Sequence, residues 1–386
     1  MQKKILKITI LILLTIIPTF LIWIPFFARV KSFWTIPLPQ QGMATIVSNF
    51  DGPLYLIIAK TFYNPDLIGA NYQFPLSNEY YSAHFPLFPI FIKTFAIFLG
   101  HPYSMLFVTL ISSFLALFFF NKHARKLLDK NNAMWLTFIF AIFPARWLIV
   151  RSVGSPEPFF IAAILASTYF FGKKKYIWAG IWGALAQMTK SPGILLFLAY
   201  LIQISIPHFK ELATGGIKKF ILKLDLKNTY PIFFIPLGLL VVFTIYGFTY
   251  GDFFTYFKSG DNIHLFFPPF QIFNFSAPWV GTFWLEEIIF IYTIGVLGVY
   301  KLYQEKLFNY FYFSLIFFIS LLFVAHRDLL RYALPLIPFL ILAFRETLIK
   351  KEFKIAMAVI IIPIYLYSLA FISQNAMPIA NWAPFL

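Results

Sequence analysis

The chain has 386 residues, of which 60% are hydrophobic and only 12% charged, and it carries a net charge of +16 with no cysteine. Soluble domains are nearer a quarter charged, so a water-soluble fold is excluded. The absence of cysteine excludes disulfides and thiolate metal sites. In so apolar a chain the surplus of positive charge is first a topology signal, and no nucleic-acid partner is needed to explain it.

Apolar runs long enough to cross a bilayer recur along the whole sequence, without the period-two alternation of a membrane barrel. The expected fold class is therefore an all-α polytopic membrane protein. About eleven spans are predicted, at residues 5–27, 103–120, 133–150, 156–172, 176–189, 192–208, 231–250, 282–300, 309–325, 333–344 and 355–372. They form a single transmembrane domain over residues 1–386, with no soluble domain. The first run follows Lys3, Lys4 and Lys7 and has no small-residue cleavage site after it, so it reads as an uncleaved span with a cytoplasmic N-terminus.

The connecting loops alternate in basic content. Those on the expected inner side hold 21 basic and six acidic residues, a balance of +15, against ten basic and nine acidic residues outside. The alternation depends on Phe85–Gly100, which is apolar but short, interrupted by Pro86 and Pro89, and carries Lys93. Placed as an interfacial segment, it gives a long first outer loop over residues 28–102 that carries interfacial helices. The expected location is a cell membrane, with the chemistry at the extracytoplasmic face.

Within that loop stands Phe50-Asp51-Gly52-Pro53, followed by Leu54, Ile57, Ile58 and Phe62 at helical spacing. Pro favours the first turn of a helix, so Asp51 falls near its N-cap. Two readings fit this carboxylate: a helix cap, or a placed acid at a membrane face. Glu157, in Ser155-Pro156-Glu157-Pro158, suits either a first-turn acid that complements the helix dipole or a site residue. Arg146 and Arg151 are nearby cations that would serve a site or snorkel to the interface. Arg327 and Arg331 are four apart, so a helix would set both guanidinium groups on one side, as bidentate phosphate recognition requires; an Arg327–Asp328 surface pair is the plainer alternative. None of the outer acids falls mid-span, which argues against a proton-coupled transporter. The six histidines include no His-x-x-x-His pair and the chain has no Asp-x-Asp pair, so no metal and no cofactor is expected.

Taken together these segments resemble the PIG-V-like mannosyltransferases, integral-membrane glycosyltransferases of the GT-C superfamily. Asp51-Gly52-Pro53-Leu54-Tyr55-Leu56-Ile57-Ile58-Ala59 is similar to their Asp-Gly-x-x-Tyr-x-x-Ile-Ala pattern, and Phe85-Pro86-Leu87-Phe88-Pro89, which follows His84, to their Phe-Pro-Leu-Tyr-Pro stretch. Phe143-Pro144-Ala145-Arg146 with Glu157, Thr189-Lys190-Ser191-Pro192-Gly193, Gly251-Asp252-Phe253-Phe254 and Arg331-Tyr332-Ala333-Leu334-Pro335 match further segments in order, over about residues 45–340. Phe50 replaces a frequent Trp, Lys190 an Arg, and Phe253 a Pro.

The resemblance implies a GT-C-like bundle that transfers a sugar, with mannose the one suggested, from a polyprenyl-phosphate donor to a glycan, glycolipid or protein acceptor, with inversion. It implies Asp51 as general base and Glu157 as a second catalytic residue that orients sugar or acceptor. Tyr55, His84, Arg146, Arg151, Lys190, Arg327 and Arg331 become the substrate-binding candidates, the last three for the leaving phosphate. A lipid or glycan flippase and an O-antigen-type polymerase or ligase are the competing readings; neither needs a carboxylate in the first loop.

Overall fold

The computed structural model describes residues 2–274 and 285–386. Its helices, in chain order, are α1 (Gln2–Phe27), α2 (Met43–Val47), α3 (Gly52–Thr61), α4 (Pro65–Asn71), α5 (Leu87–Leu99), α6 (His101–Leu127), α7 (Lys130–Ile142), α8 (Ala145–Ser152), α9 (Glu157–Phe171) and α10 (Tyr176–Thr189). These are followed by α11 (Ile194–Ser205), α12 (Phe209–Lys223), α13 (Leu226–Thr229), α14 (Phe234–Tyr250), α15 (Leu285–Gln304), α16 (Phe308–Leu321), α17 (Leu329–Ala333), α18 (Ile337–Ala343), α19 (Arg345–Leu348) and α20 (Lys351–Gln374). A two-strand antiparallel hairpin, Ser32–Phe33 with Ile36–Pro37, follows α1. The protein is an all-α polytopic membrane protein. Among the described residues, five helical segments are long and apolar enough to cross a bilayer alone, and a sixth does so if the bent pair α7–α8 counts as one.

The chain packs as two compact units, the first of residues 1–162, 242–263 and 345–386, the second of residues 163–241 and 264–344.

In the first unit α6 packs along α5 and α7, α1 lies on α6 and α8, and α20 lies on α8. The core is aromatic: Phe140 stacks on Trp147 with centroids 5.0 Å apart and meets Phe120 at 4.6 Å. α20 runs the length of the unit. Near its start, the Trp135 indole N–H of α7 donates to the Leu348 carbonyl at 2.8 Å; near its end, Asn49 donates to the Ile372 carbonyl. Those 24 residues of largely helical chain span roughly 36 Å, slightly more than a bilayer's hydrocarbon. In the second unit α11 packs on α16, and α15 on α16 and α18. There Ser167 Oγ lies 2.7 Å from the Tyr200 hydroxyl, and the Tyr200 ring stacks on Phe171.

Several expected elements differ. The span predicted at 133–150 is two helices bent by 70° at Phe143-Pro144. Proline has no N–H to give and disfavours helical geometry in the residue before it, and Phe143 is extended. The 333–344 span is broken by a 3-10 turn at Leu334–Leu336, where Pro335 sits. The 282–300 span begins outside the described residues, and its described part is α15. Helix α3 is no half-exposed interfacial helix: every residue from Gly52 to Ala59 is buried, against α5 and α6. The Phe85–Gly100 segment is a separate short helix, α5, that ends at Gly100 before α6 begins.

Candidate active site

Asp51 is presented by a tight turn between α2 and α3. Phe50, the residue before it, has φ +50°, a left-handed conformation uncommon for a bulky side chain. Such strain persists only where surrounding contacts impose it. Here Asn49 is fully buried, and its Nδ2 donates to the Thr45 and Ile372 carbonyls at 2.8 and 3.0 Å. Asn375 donates to the Asn49 Oδ1, and the Met377 N–H donates to the Ser48 carbonyl at 2.7 Å. The end of α20 thus clamps the turn, and the Phe50 ring rests on Phe371.

The turn feeds α3 as Gly52-Pro53 predicts, but its carboxylate does not cap the helix. The Asp51 backbone carbonyl accepts the Tyr55 N–H, whereas its side chain makes no capping hydrogen bond. Of the two readings of Asp51, the cap is therefore not what the structure contains. The residue instead lines an open cavity of about 570 Å³, within the usual range for small-molecule sites. Its other walls include Asn71 at the end of α4, Gln73 and Tyr80 from the loop between α4 and α5, and Asn381 and Phe385 from the end of the chain. A larger cavity of about 840 Å³ lies along α1, and hydrocarbon lines almost all of it.

The wall supplied by residues 377–386 is fastened to the same loop. Tyr72 OH donates to the Pro384 carbonyl at 3.0 Å, its ring meets Phe385 edge-on at 5.2 Å, and Lys60 Nζ donates to the Leu386 carbonyl at 2.8 Å. This stretch lies beyond the last span that the sequence predicts. It carries no motif, and its partners lie more than 300 residues away in the chain, so no local signal could have found it.

Tyr80 is the other missed residue. Burial, then the neighbouring carboxylates of Asp51 and Asp261, push its phenol up to about 12, so it stays a neutral hydroxyl beside Asp51. Its ring lies 6.1 Å from that of His84, which in turn meets Tyr55 edge-on at 5.0 Å. His84 is buried, its carbonyl accepts the Tyr63 hydroxyl at 2.6 Å, and its Nδ1 has no hydrogen-bond partner among the described residues. The structure thus connects three expected site residues, Asp51, Tyr55 and His84, through Tyr80. The signal available in the sequence was the Tyr80-Tyr81 pair just before His84.

Glu157 opens α9, is almost wholly buried, and accepts a hydrogen bond from Ser155 Oγ. Ser155 is fixed in turn by Thr109 of α6, whose hydroxyl accepts its N–H at 3.2 Å. One methionine brings the two acidic segments together: a Cβ on Gly52 would meet Val47 O at 2.3 Å and Met105 Cε at 3.3 Å, and one on Gly154 would meet Met105 Cε at 2.2 Å. Gly52 leaves room for the Val47 carbonyl and Gly154 for the Met105 side chain, which lies between the Asp51 turn and the Glu157 turn.

The two candidate arginines of the first unit separate. Arg146 is buried, with its guanidinium 3.8 Å from the centre of the Phe371 ring, the ring that also meets Phe50. Arg151 was expected at a substrate, but it is 1% exposed and donates to the carbonyls of Ala141, Leu14 and Thr15. Its hydrogen bonds go to backbone oxygens that α7, just before its bend into α8, and the neighbouring α1 present.

Lys190, Arg327 and Arg331 belong to the second unit. Lys190 sits in extended geometry at the end of α10, half-buried. Arg331 lies on α17, but Arg327 lies in the turn before it, because that helix starts only at Leu329. The expectation that one helix face carries both arginines is thus corrected. Around that turn, the His264, His326 and Tyr332 rings gather at 4.4–5.6 Å, and the Asp328 N–H donates to His326 Nδ1.

No protein-family model and no curated protein matches this sequence. Solved structures do. The chain is similar to ArnT from Cupriavidus metallidurans bound to undecaprenyl phosphate, with TM-score 0.56, 12% identity, and 90% of this chain and 62% of that one covered. What this likeness shows is a common fold. The Archaeoglobus fulgidus oligosaccharyltransferase in its apo form shares it at TM-score 0.52 and 14% identity, over 97% of this chain and 57% of that one. The same enzyme tethered to an acceptor peptide matches at 0.50 and 15%, over 96% and 56%. The chain thus spans less than two thirds of the length of these proteins.

Proposed function

We propose that the protein is a membrane glycosyltransferase that moves a sugar from a polyprenyl-phosphate donor to an acceptor hydroxyl. The observation that carries this reading is Asp51. Its carboxylate is held on a strained turn, is not used as a cap, and lines a cavity beside a neutral phenol. The fold supports the reading, since similar structures include one bound to undecaprenyl phosphate and one tethered to an acceptor peptide.

In the proposed reaction the acceptor oxygen attacks the anomeric carbon as the bond from that carbon to the phosphate oxygen breaks. The acceptor proton passes to Asp51, and polyprenyl phosphate leaves with the electron pair. Attack opposite the leaving group inverts the anomeric centre. Tyr80, as a hydroxyl donor, and the His84–Tyr55 wall orient sugar or acceptor, with Glu157 in support. The leaving group develops negative charge, which preorganised cations stabilise; the resemblance assigns this to Lys190, Arg327 and Arg331, and mannose to the donor. The charge bias of the loops puts the reaction at the extracytoplasmic face.

Asp51→Asn tests this. It is nearly isosteric and removes only the proton acceptor, a change that typically costs a hundred- to ten-thousand-fold in rate. The expected result is folded protein that still binds polyprenyl-phosphate sugar but hardly transfers it. Transfer near the parental rate would end the base assignment, and intact lipid transport by a variant that never transfers sugar would favour a flippase.

A further inference from the structure

Between the start of α1, the end of α6 and the start of α7 lies a cavity of about 690 Å³ that the proposed reaction does not use. Lys7, Lys122, Arg125 and Lys130 line it, and among the described residues no carboxylate does. The acid next in sequence, Asp129, is occupied: its oxygens accept the Asn131 and Asn132 N–H groups as the cap of α7, and the Asn132 side-chain amide. At the floor, Asn121 is fully buried, with Nδ2 donating to Thr137 Oγ1 at 2.9 Å and Oδ1 without a partner among the described residues. Four like charges around one cavity repel one another, and an anion placed among them removes that repulsion.

The rest of the lining is apolar and leads onward. Ile10 belongs both to this cavity and to the 840 Å³ groove along α1, which continues past Leu14 and Pro18 to Leu21. From Ile10 to Leu21 the helix rises roughly 16 Å, close to the ~15 Å hydrocarbon depth of one leaflet. A phosphate head among the cations with an acyl chain in the groove matches both halves. The site also lies near the end of the first unit where Trp135 meets Leu348, roughly 36 Å along α20 from the Asn49 clamp. That separation puts it in the opposite leaflet from the Asp51 cavity, out of reach of a lipid donor reacting there.

We propose that this cavity and groove bind one anionic glycerophospholipid of the leaflet opposite the Asp51 cavity. Phosphate engages Lys7, Lys122, Arg125 and Lys130, and an acyl chain lies along α1 against α7 and α20.

Native mass spectrometry of the full chain, released from nanodiscs of phosphatidylcholine mixed with phosphatidylglycerol, tests it. One phosphatidylglycerol should be retained in preference to phosphatidylcholine. A juxtamembrane cation contributes about a fivefold factor, so Lys122→Gln with Arg125→Gln should weaken retention by about 25-fold. The single change Lys130→Gln, at an exposed position, should weaken it about fivefold and serves if the double variant fails to fold. Soluble glycerophosphoglycerol, the head without chains, should not compete at concentrations where the lipid does. Equal retention of both lipids, undiminished retention in the variants, full competition by the soluble head, or displacement by equimolar polyprenyl phosphate would each overturn the proposal. None of these readouts depends on sugar transfer, so failure of the proposed reaction leaves this test standing.

Discussion

Asn49 and Ile372 are joined by a 3.0 Å hydrogen bond across 323 residues of sequence, from a buried amide to the last turns of α20. The bond sits two residues before Asp51, so the far end of the chain fixes the position of the proposed base. Asn49→Ala removes this bond, the one to Thr45 and the one that Oδ1 accepts from Asn375. Each buried hydrogen bond contributes about 1 kcal/mol, and more if a partner is left unsatisfied. The variant should lose about 2–3 kcal/mol of stability and, where still folded, transfer sugar poorly. Parental stability in denaturant titrations, with parental activity, would show that the clamp does not set the turn.

Tyr80 gives a prediction in pH. Its folded phenol titrates at about 12, whereas an unperturbed tyrosine titrates near 10. A group with a raised folded pKa contributes stability fully present below the unfolded value and lost as pH rises through the folded one. Stability should therefore fall between about pH 10 and 12, and Tyr80→Phe should flatten part of that fall. The same variant should lower transfer about tenfold, the worth of one hydrogen bond. A spectrophotometric phenol titration identical in parent and variant above pH 10 would contradict the assignment.

The residues that were legible in the sequence are those whose signal is local. Gly52-Pro53 announces the start of α3, and Pro86, Pro89 and Gly100 isolate α5, because each acts on the backbone beside it. Pro144 was equally visible, yet the apolar run across it reads as one span, since hydropathy is blind to a missing N–H. Arg327 and Arg331 looked like one helix face because spacing says nothing of where a helix begins. The cavity wall at Asn381 and Phe385 was illegible for a different reason: its contacts with Tyr72 and Lys60 arise only once the chain has closed on itself.

Loop charge predicts the topology. His101 begins α6, and the basic residues Lys122, Arg125 and Lys126 lie toward the other end of the same helix. The positive-inside rule puts those at the cytoplasm and His101 outside. A single cysteine at His101 should react with an impermeant thiol reagent in intact cells. Labelling only after permeabilisation would reverse the orientation of α6 and, with it, the face assigned to Asp51.

Arg151 separates a structural cation from a substrate-binding one. A phosphate-holding arginine should change donor KM when replaced, with the fold intact. The structure places this guanidinium in the interior, donating to Leu14 and Thr15 of α1 at 3.1 and 2.8 Å and also to Ala141 of α7. Truncation takes the donor from three carbonyls at once, and each buried hydrogen bond to a charged group contributes about 1.5–3 kcal/mol. Arg151→Ala should therefore unfold at markedly lower temperature in detergent, while the fraction that remains folded keeps its donor KM. Arg151→Lys should recover only part of the loss, because one ammonium cannot reproduce a planar fork that reaches two helices. A variant with parental thermal stability and a donor KM raised tenfold would return Arg151 to the substrate.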